Sequence, residues 1–452
     1  MSKNQFSRRK FLGSAAAIGA ASTMGVGSLS SCSGGKSNET AVFDWKSREY
    51  NFPPMLDTVP AGKVLKAGII GCGGRGSGAA VNFLEAGGDT VQVTALADVF
   101  KDRVDSAREK IKTEKNVEVP EENCFVGFDA FQKVIESDVD IVVLATPPKF
   151  RPEHFEAAVK ARKHVFMEKP VAVDPVGIRQ VIAAAKMADA AGIKVVTGTQ
   201  RRHQHKYINI YNELANNAIG HIIGANVYWN GGKLWHRDNN PKWSEMEWMI
   251  RDWVNWTWLS GDHIVEQHVH NIDVAAWFMG AHPEKALGFG SRQRRITGDQ
   301  YDNFSVDYVM DDGRHIHSMC RQINGCTTGV YEVFNGTKGA SFTSQGGTST
   351  IKDSAGTELF SFEDHETSPY VQEHKDLITC IRQDIPFNEA EETANSVLTA
   401  IMGRISAYTG KEVTREEIMN SDMKLGPDTY VMGDIGFMKN AKVPVPGTLE
   451  RK

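Results

Sequence analysis

The chain has 452 residues, of which 41% are apolar and 24% are charged. This composition is that of an ordinary globular protein, and the length exceeds what one compact core holds, so two domains are expected. The formal net charge of −5 gives no electrostatic reason to expect a nucleic-acid partner, and no apolar run after the first 30 residues has transmembrane length.

The first 32 residues are predicted to be an export signal. Residues 7–12 (Ser-Arg-Arg-Lys-Phe-Leu) form a twin-arginine motif, and residues 13–27 are a soft apolar stretch of Ala, Gly and Ser. Residues 29–32 then resemble a lipobox, whose Cys32 would become the lipidated first residue of the mature protein. We therefore predict a signal over 1–32, a tether over 33–63, and a lipid-anchored location on the periplasmic side of the cell envelope.

Between residues 64 and 200 short apolar runs alternate with helical patterns. The predicted strands are 64–70, 91–97, 141–145, 165–167 and 194–197, and the predicted helices are 78–85, 153–161 and 175–190. Strands that alternate with helices pair in parallel through right-handed crossovers. The pattern predicts an α/β Rossmann domain over residues 64–200.

Beyond residue 200 the alternation ends. A helix is predicted at 206–217, a strand at 222–229 and a helix near 265–278, followed by strands at 285–292, 303–310, 314–322, 327–334, 340–344 and 358–362 and by helices at 370–383 and 390–409. Turn sequences such as Asn335-Gly336 separate the strands and favour hairpins. We predict an α+β domain over residues 201–452 with an open, mostly antiparallel sheet.

A glycine-rich turn follows the first strand directly. Gly71, Gly73 and Gly76 form a GxGxxG pattern, with Gly74 and Arg75 between the last two glycines. Such glycines allow a tight turn and close approach to a pyrophosphate, while the N-terminus of the next helix offers free N–H groups. These five residues are predicted to bind a dinucleotide.

Asp98 completes this pattern at the end of the second strand, 22 residues after Gly76. A carboxylate at this position accepts hydrogen bonds from the ribose hydroxyls and repels a 2′-phosphate. We therefore predict NAD, rather than NADP, as the cofactor.

Residues 163–170 (Lys-His-Val-Phe-Met-Glu-Lys-Pro) place Glu168 and Lys169 at the carboxyl edge of the predicted sheet, where open α/β sheets bind ligands. Together with the glycine turn, with Thr146 and Pro147, and with residues 270–273 and 407–411, this stretch resembles the Gfo/Idh/MocA family of glucose–fructose oxidoreductases and inositol dehydrogenases. The resemblance extends from residue 66 onward.

The resemblance implies roles for individual residues. Thr146, Pro147, Glu168 and Lys169 match cofactor-site positions, and Lys169 would also orient a sugar hydroxyl and stabilise negative charge on it. His270 matches the family's general base. Glu266 stands where many members have Asp, and on one helix it would share a face with His270.

Other residues near this motif leave alternatives open. His263 and His268 compete with His270 for the role of base, and nothing in the Glu/His spacing requires a metal. Eight of the nine tryptophans lie between residues 229 and 277. Most are expected in the core, with Trp235 and Trp253 as candidates for the substrate pocket. Arg201 and Arg202 are candidate contacts to a sugar, with a solvated loop as the alternative.

The export signal bears on the function. Twin-arginine export carries folded proteins, so NAD can be loaded before export and must then be regenerated within the catalytic cycle. We predict an oxidoreductase that acts on a hydroxyl of a sugar, sugar derivative or glycoside and holds NAD tightly, as a homo-oligomer. The alternatives are a redox-neutral NAD-dependent glycosidase and a non-catalytic NAD-holding envelope protein.

Overall fold

The computed structural model describes residues 50–344, 346–363 and 368–447. The predicted signal, Cys32 and the first part of the predicted tether lie outside the described residues.

The first domain is a six-stranded parallel sheet with helices on both faces. Its strands run in the order β3-β2-β1-β4-β5-β6, in which β1 pairs in parallel with both β2 and β4. The strands are β1 (Leu65–Ile70), β2 (Val91–Asp98), β3 (Cys124–Val126), β4 (Ile141–Leu144), β5 (His164–Met167) and β6 (Val195–Thr197), and the helices are α1 (Gly74–Gly87), α2 (Lys101–Lys115), α3 (Ala130–Glu136), α4 (Arg151–Lys160) and α5 (Pro175–Ala190). This confirms the Rossmann prediction, to which the structure adds β3.

The second region contains a nine-stranded mixed sheet in the order β14-β13-β12-β11-β7-β10-β9-β8-β15. Its pairs are antiparallel except for β7 with β10. The strands are β7 (Ile222–Gly231), β8 (Lys285–Ser291), β9 (Asn303–Val309), β10 (His315–Gln322), β11 (Gly329–Gly336), β12 (Gly339–Ser344), β13 (Ser349–Asp353), β14 (Glu358–Phe362) and β15 (Val413–Thr414). The predicted α+β fold with a mostly antiparallel sheet is confirmed.

The helices of this region pack against one face of the sheet and against the first domain. They are α6 (His205–Ala215), α7 (Glu245–Arg251), α8 (Thr257–Ser260), α9 (His263–Glu266), α10 (Val269–Met279), α11 (Pro369–Arg382), α12 (Ala390–Thr409) and α13 (Arg415–Met419). The prediction of a single helix near 265–278 is wrong, because the helix is interrupted at Gln267, between α9 and α10.

Helix α11 returns from the second region to complete the Rossmann core. Its apolar residues Val371 and Leu377 belong to the same buried cluster as Leu65 and Phe83. One face of the parallel sheet is therefore covered by a segment nearly 300 residues downstream in the sequence.

Residues 50–63, the described part of the predicted tether, lie against the folded body and so correct the expectation of a free linker. The ring of Tyr50 stacks on Trp277 at 5.4 Å between centroids, and its hydroxyl accepts a hydrogen bond from Arg202. Met55 N–H donates to Asp376 at 2.8 Å. The stacking of Tyr50 on Trp277 and its hydrogen bond with Arg202 hold this segment in place.

The described residues after α13 form an irregular tail, residues 420–447, which contacts the first domain at Asp174 and the second region at Glu245. Among the described residues, no helix combines the length and apolar character that a membrane span needs. Cys320 is buried in β10 and Cys326 is exposed, both as free thiols.

Candidate functional site

The glycine turn between β1 and α1 brings three segments of backbone into close contact. Gly71 has φ +98°, and a Cβ there would lie 2.5 Å from the backbone nitrogen of Thr146. A Cβ on Gly76 would lie 1.7 Å from the carbonyl oxygen of Gly71. Only glycine fits at these two positions, and α1 consequently begins directly over the carboxyl edge of β1.

A cleft with about 710 Å³ of empty space opens at this edge. Gly71, Gly73, Asp98, Thr146 and Pro147 line it, as the sequence predicts for a dinucleotide site. Aromatic and apolar side chains form the rest of the wall, from Phe100, Phe128, Phe131, Phe150, Ile250 and Trp253.

The Asp98 carboxylate is held in place by the backbone around it. Its two oxygens accept hydrogen bonds from Cys72 N–H at 2.8 Å and from Phe100 N–H at 3.0 Å. Burial raises its pKa, while these two bonds oppose the rise. Each oxygen keeps a further lone pair for a ribose hydroxyl.

Arg103 also lines the cleft, and the sequence analysis did not identify it. A Cβ on Gly73 would lie 3.2 Å from Arg103 Nη1. Its position one turn into α2 was the available signal, because the start of this helix follows Asp98 directly.

Arg75 turns away from the helix N-terminus toward two buried carboxylates. Its Nε donates to Glu168, and its Nη2 donates to Glu373 at 3.3 Å. Burial raises the pKa of Glu373 well above its ordinary value and so favours the protonated acid, although the charge of Arg75 opposes this rise. Arg75 and Glu168 thus tie α1 to the end of β5, just before Lys169.

Lys169 and Glu266 are in contact, a pairing that the sequence analysis did not predict. Lys169 Nζ donates to the Glu266 carbonyl oxygen at 2.5 Å and to its Oε1 at 3.3 Å. Both side chains are 13% exposed, so they are mostly withdrawn from water but accessible at one edge. The ammonium is fixed by the second region while its own backbone belongs to the first.

His270 lies in the first turn of α10, where Lys169 can influence its charge. Burial, followed by the charges of Lys169 and Arg201, lowers the pKa of His270 well below its ordinary 6.5. Its ring stacks on Trp229, with 5.8 Å between centroids. A neutral imidazole next to a cation can accept a proton at neutral pH.

The helix break corrects the expected pairing of Glu266 with His270. These residues lie on separate helices, so they do not form an i, i+4 pair on one face. Glu266 contacts Lys169 instead, and the charges nearest His270 are the cations named above.

The two competing histidines are held in the core. His268 Nε2 is 2.7 Å from Ser318 Oγ, and burial lowers the pKa of His268 to about 3. His263 Nδ1 is 3.1 Å from Asp262 Oδ1, with 2% of the residue exposed. Both rings are engaged with neighbours in the core, which leaves His270 as the candidate base.

Arg202 has a structural role, which corrects the expectation that it contacts substrate. Its guanidinium donates to both oxygens of Asp273, at 2.8 and 2.9 Å, and to Tyr50. A buried bidentate pair of this kind leaves little capacity for a ligand.

Arg201 is also buried but is less fully engaged. Its Nη1 donates to Glu332, while its Nε and Nη2 find no acceptor among the described residues. It lies 5.9 Å from the Trp229 ring on which His270 stacks. The structure therefore brings Arg201, unlike Arg202, to the border of the candidate catalytic site.

The tryptophan cluster divides as expected between core and surface. Trp256, Trp258 and Trp277 are buried, whereas Trp235 is 45% exposed and lies edge-on to Trp253 at 6.3 Å. Trp253 lines the cofactor cleft. The tryptophan next to the candidate base is Trp229, which the sequence analysis did not single out.

The cleft has the donors and the clearances that a dinucleotide needs. Gly71 and Gly76 admit close backbone approach, the α1 N-terminus carries no side-chain cap, and Asp98 faces the cleft. An uncapped helix start leaves N–H groups for phosphate oxygens. These residues fit NAD, which would be held by the glycine turn and Asp98.

Fold and site together define a dinucleotide-binding Rossmann protein with a second α+β region. Comparison with known families agrees with this class: residues 65–195 match the GFO_IDH_MocA model, described as an oxidoreductase family with an NAD-binding Rossmann fold. The match covers the predicted Rossmann region and agrees with the resemblance predicted from its motifs for this part of the chain.

Two curated relatives align over part of the chain. A myo-inositol 2-dehydrogenase from Thermotoga maritima is 26% identical over 229 residues, which cover 50% of this chain and 58% of the relative. A glycosyl hydrolase family 109 protein from Streptomyces coelicolor is 32% identical over 171 residues, covering 37% of this chain and 34% of the relative. The alignments thus span less than two thirds of either relative.

A solved structure extends the likeness in fold to most of the chain. Scyllo-inositol dehydrogenase from Lactobacillus casei, with bound NAD(H) and scyllo-inositol, superposes with a TM-score of 0.60. The identity is 20%, and the match covers 78% of this chain and all of that one. This likeness establishes the shared two-part architecture.

Proposed function

We propose that this protein oxidises a hydroxyl group of a sugar, a sugar derivative or a glycoside, with a tightly bound NAD as hydride acceptor. The observation that carries the proposal is the placement of Lys169 and the neutral, buried His270 at the carboxyl edge of the sheet that forms the glycine turn. The inositol dehydrogenase relative supports the substrate class.

In this proposal two side chains of the protein act on the substrate hydroxyl: one accepts its proton and the other stabilises the charge on its oxygen. Bound NAD would supply the hydride acceptor. His270, neutral because of burial and adjacent cations, accepts the proton of the substrate hydroxyl. Lys169, held by Glu266, stabilises the negative charge that develops on that oxygen.

The first experiment is mass spectrometry of small molecules released when the purified protein is denatured. Stoichiometric NAD would support both the cofactor and its retention. Release of NADP would contradict the role assigned to Asp98, and the absence of any dinucleotide would contradict tight binding. A panel of sugars and inositols, assayed for oxidised product, then tests the reaction.

The second candidate is a redox-neutral glycosidase, favoured by the glycosyl hydrolase family 109 relative. Here transient oxidation of a sugar hydroxyl acidifies the neighbouring C–H, the glycosidic substituent is eliminated, water adds and the hydride is returned. His270 would act as acid and base and Lys169 would stabilise the oxyanion. Aryl glycosides separate the two candidates: free aglycone without net NADH indicates the glycosidase.

A non-catalytic protein that only holds NAD is the third possibility. It predicts that Lys169→Ala and His270→Ala leave every cellular function intact. Loss of function in these variants, with NAD still bound, would rule out this possibility and support either enzymatic candidate.

We further propose that the protein is exported folded by the twin-arginine route, is anchored in the cell envelope through Cys32, and forms homo-oligomers. The motif in residues 7–12 and the lipobox in residues 29–32 support the location. Sedimentation of the purified protein tests the oligomeric state.

A further inference from the structure

The cofactor cleft has a wall that the Rossmann fold does not supply. Helix α7 and the turn after it place Ile250 and Trp253 in the lining of the cleft, together with Gly71 and Gly73 of the glycine turn. Met246 and Met249 on α7 are fully buried and belong to the same apolar cluster as Phe100 and Phe150. The second region therefore closes one side of the dinucleotide site.

Arg251, the last residue of α7, connects this wall to the first domain. Its Nη1 and Nη2 each donate to one oxygen of Asp102, both at 3.1 Å, and its guanidinium lies 3.9 Å from the centroid of the Phe100 ring. Asp102 lies in the first turn of α2, four residues after Asp98. Bidentate pairing and a cation–π contact thus meet at the rim of the cleft.

The start of α7 is attached to the C-terminal tail. The buried Glu245 carboxylate accepts hydrogen bonds from the backbone N–H groups of Ile435 at 2.7 Å, Gly436 at 2.5 Å and Met438 at 2.5 Å. In return, Asp434 accepts a bond from Glu245 N–H at 2.8 Å. Charge-assisted bonds to three amides fix the tail on the helix.

The same tail forms a second layer behind the aromatic wall. Tyr430 stacks on Trp258 with an angle of 8° between the rings and meets Phe150 edge-on at 5.0 Å. It also lies 6.2 Å from Phe128. Both of these phenylalanines line the cleft, so the tail supports the surface that a bound dinucleotide would touch.

We propose that residues 245–253 and 430–438 form a clamp that retains the dinucleotide, with the Arg251–Asp102 pair as its latch. The clamp rests on the proposed NAD function and identifies the residues responsible for tight binding. In this proposal, opening of the latch lets α7 carry Ile250, and Trp253 just after it, away from the dinucleotide.

The test measures the dissociation rate of NADH from the full-length protein, followed by loss of NADH fluorescence on addition of excess NAD. Arg251→Gln removes the guanidinium that pairs with Asp102 while keeping a polar side chain, and we expect release to accelerate about tenfold. Lys101→Gln is the matched control, because Lys101 pairs only with Asp105 on the exposed face of α2 in the ion pairs described. This control should release NADH at the wild-type rate.

Salt gives a second measurement that does not depend on a substitution. The side chain of Asp102 is 60% exposed, so salt screens the latch. Release from the wild type should accelerate with ionic strength, and release from Arg251→Gln should respond less. Equal rates for wild type and Arg251→Gln, with equal salt dependence, would overturn the clamp.

The outcomes also separate the clamp from the proposed function. A protein that binds NADH and releases it faster in Arg251→Gln, but oxidises no sugar, supports the clamp and contradicts the sugar reaction. If the protein oxidises sugars but Arg251→Gln releases NADH at the wild-type rate, the sugar reaction is supported and the clamp is contradicted. Failure of the wild type to bind NADH contradicts both.

Discussion

At the scale of single residues, the contrast between His268 and His270 is the most informative. They are two positions apart, yet His268 is hydrogen-bonded to Ser318 in the core, and His270 stacks on Trp229 near the Lys169 charge. At about 100° per residue, positions two apart at the start of α10 point to nearly opposite sides of the helix, so the two rings meet different surroundings.

His270→Asn should reduce kcat by about 10²- to 10⁴-fold, the usual contribution of a positioned general base, without loss of bound NAD. His268→Asn is the matched comparison, and we expect it to lower thermal stability while keeping most of the activity of the folded fraction. Steady-state assays with circular dichroism melts distinguish the two. If His268→Asn lost the activity and His270→Asn kept it, our assignment of the base would be wrong.

The pH profile gives a separate prediction for the same ring. Because burial and neighbouring cations lower the pKa of His270, the base remains deprotonated as pH falls, and the acid limb of kcat/KM should lie well below pH 6.5. Lys169→Met removes one of these cations, so its residual activity should show an acid limb shifted to higher pH. An unshifted limb in Lys169→Met would argue against the electrostatic contact.

At the scale of elements, the glycine turn offers two substitutions with opposite expected signs. Gly76→Ala places a Cβ 1.7 Å from the Gly71 carbonyl oxygen, and it should lower the free energy of unfolding by about 1–3 kcal/mol and abolish NADH binding. Gly74→Ala meets nothing within 4 Å and should stabilise α1 by about 0.5–1 kcal/mol. Chemical denaturation and NADH titration measure both variants.

A second element-scale prediction concerns the contact of α11 with residues 200–203. His203 lies 2.7 Å from Asp376 on α11 and 3.2 Å from Glu389. Burial alone would lower its pKa, but these carboxylates raise the pKa of His203 to about 10. The protonated ring is therefore part of the folded state at neutral pH.

The sign of its effect on stability follows from this raised pKa. The contribution is complete below the unfolded value near 6.5 and is lost as pH rises toward about 10. The free energy of unfolding should fall over that range by a few kcal/mol, since one pKa unit corresponds to about 1.4 kcal/mol. In His203→Gln the fall should be much smaller, and an identical pH dependence in both proteins would refute the assignment.

Prediction from sequence succeeded where local pattern is decisive. Buried apolar runs located the Rossmann strands β1, β2, β4, β5 and β6, and the glycine turn located the cleft. Prediction from sequence failed where tertiary contacts determine the structure. The interruption between α9 and α10 falls within a continuous apolar pattern. Arg202 forms an ion pair with Asp273, which lies 71 residues away. The clamp was also missed, because its parts, α7 and the tail, are separated by nearly 180 residues.

At the scale of the whole molecule, the proposed anchor makes a direct prediction. Cys32→Ser should move the protein from the membrane fraction to the soluble periplasmic fraction, without change in specific activity, because the site lies entirely in residues after Tyr50. Fractionation and radiolabelled-lipid incorporation measure this. Cys326→Ser, at an exposed free thiol, is the control and should remain in the membrane fraction.

The attachment of Tyr50 has a consequence for where an anchored protein can work. Eighteen residue steps separate Cys32 from Tyr50, and a fully extended chain of that length reaches at most about 60–65 Å. The reach is set by the Tyr50 ring on Trp277, not by the start of β1 fifteen residues later. If the protein is anchored through Cys32 as proposed, its catalytic site is confined to a layer near the membrane surface. Its substrates must then be able to enter that layer.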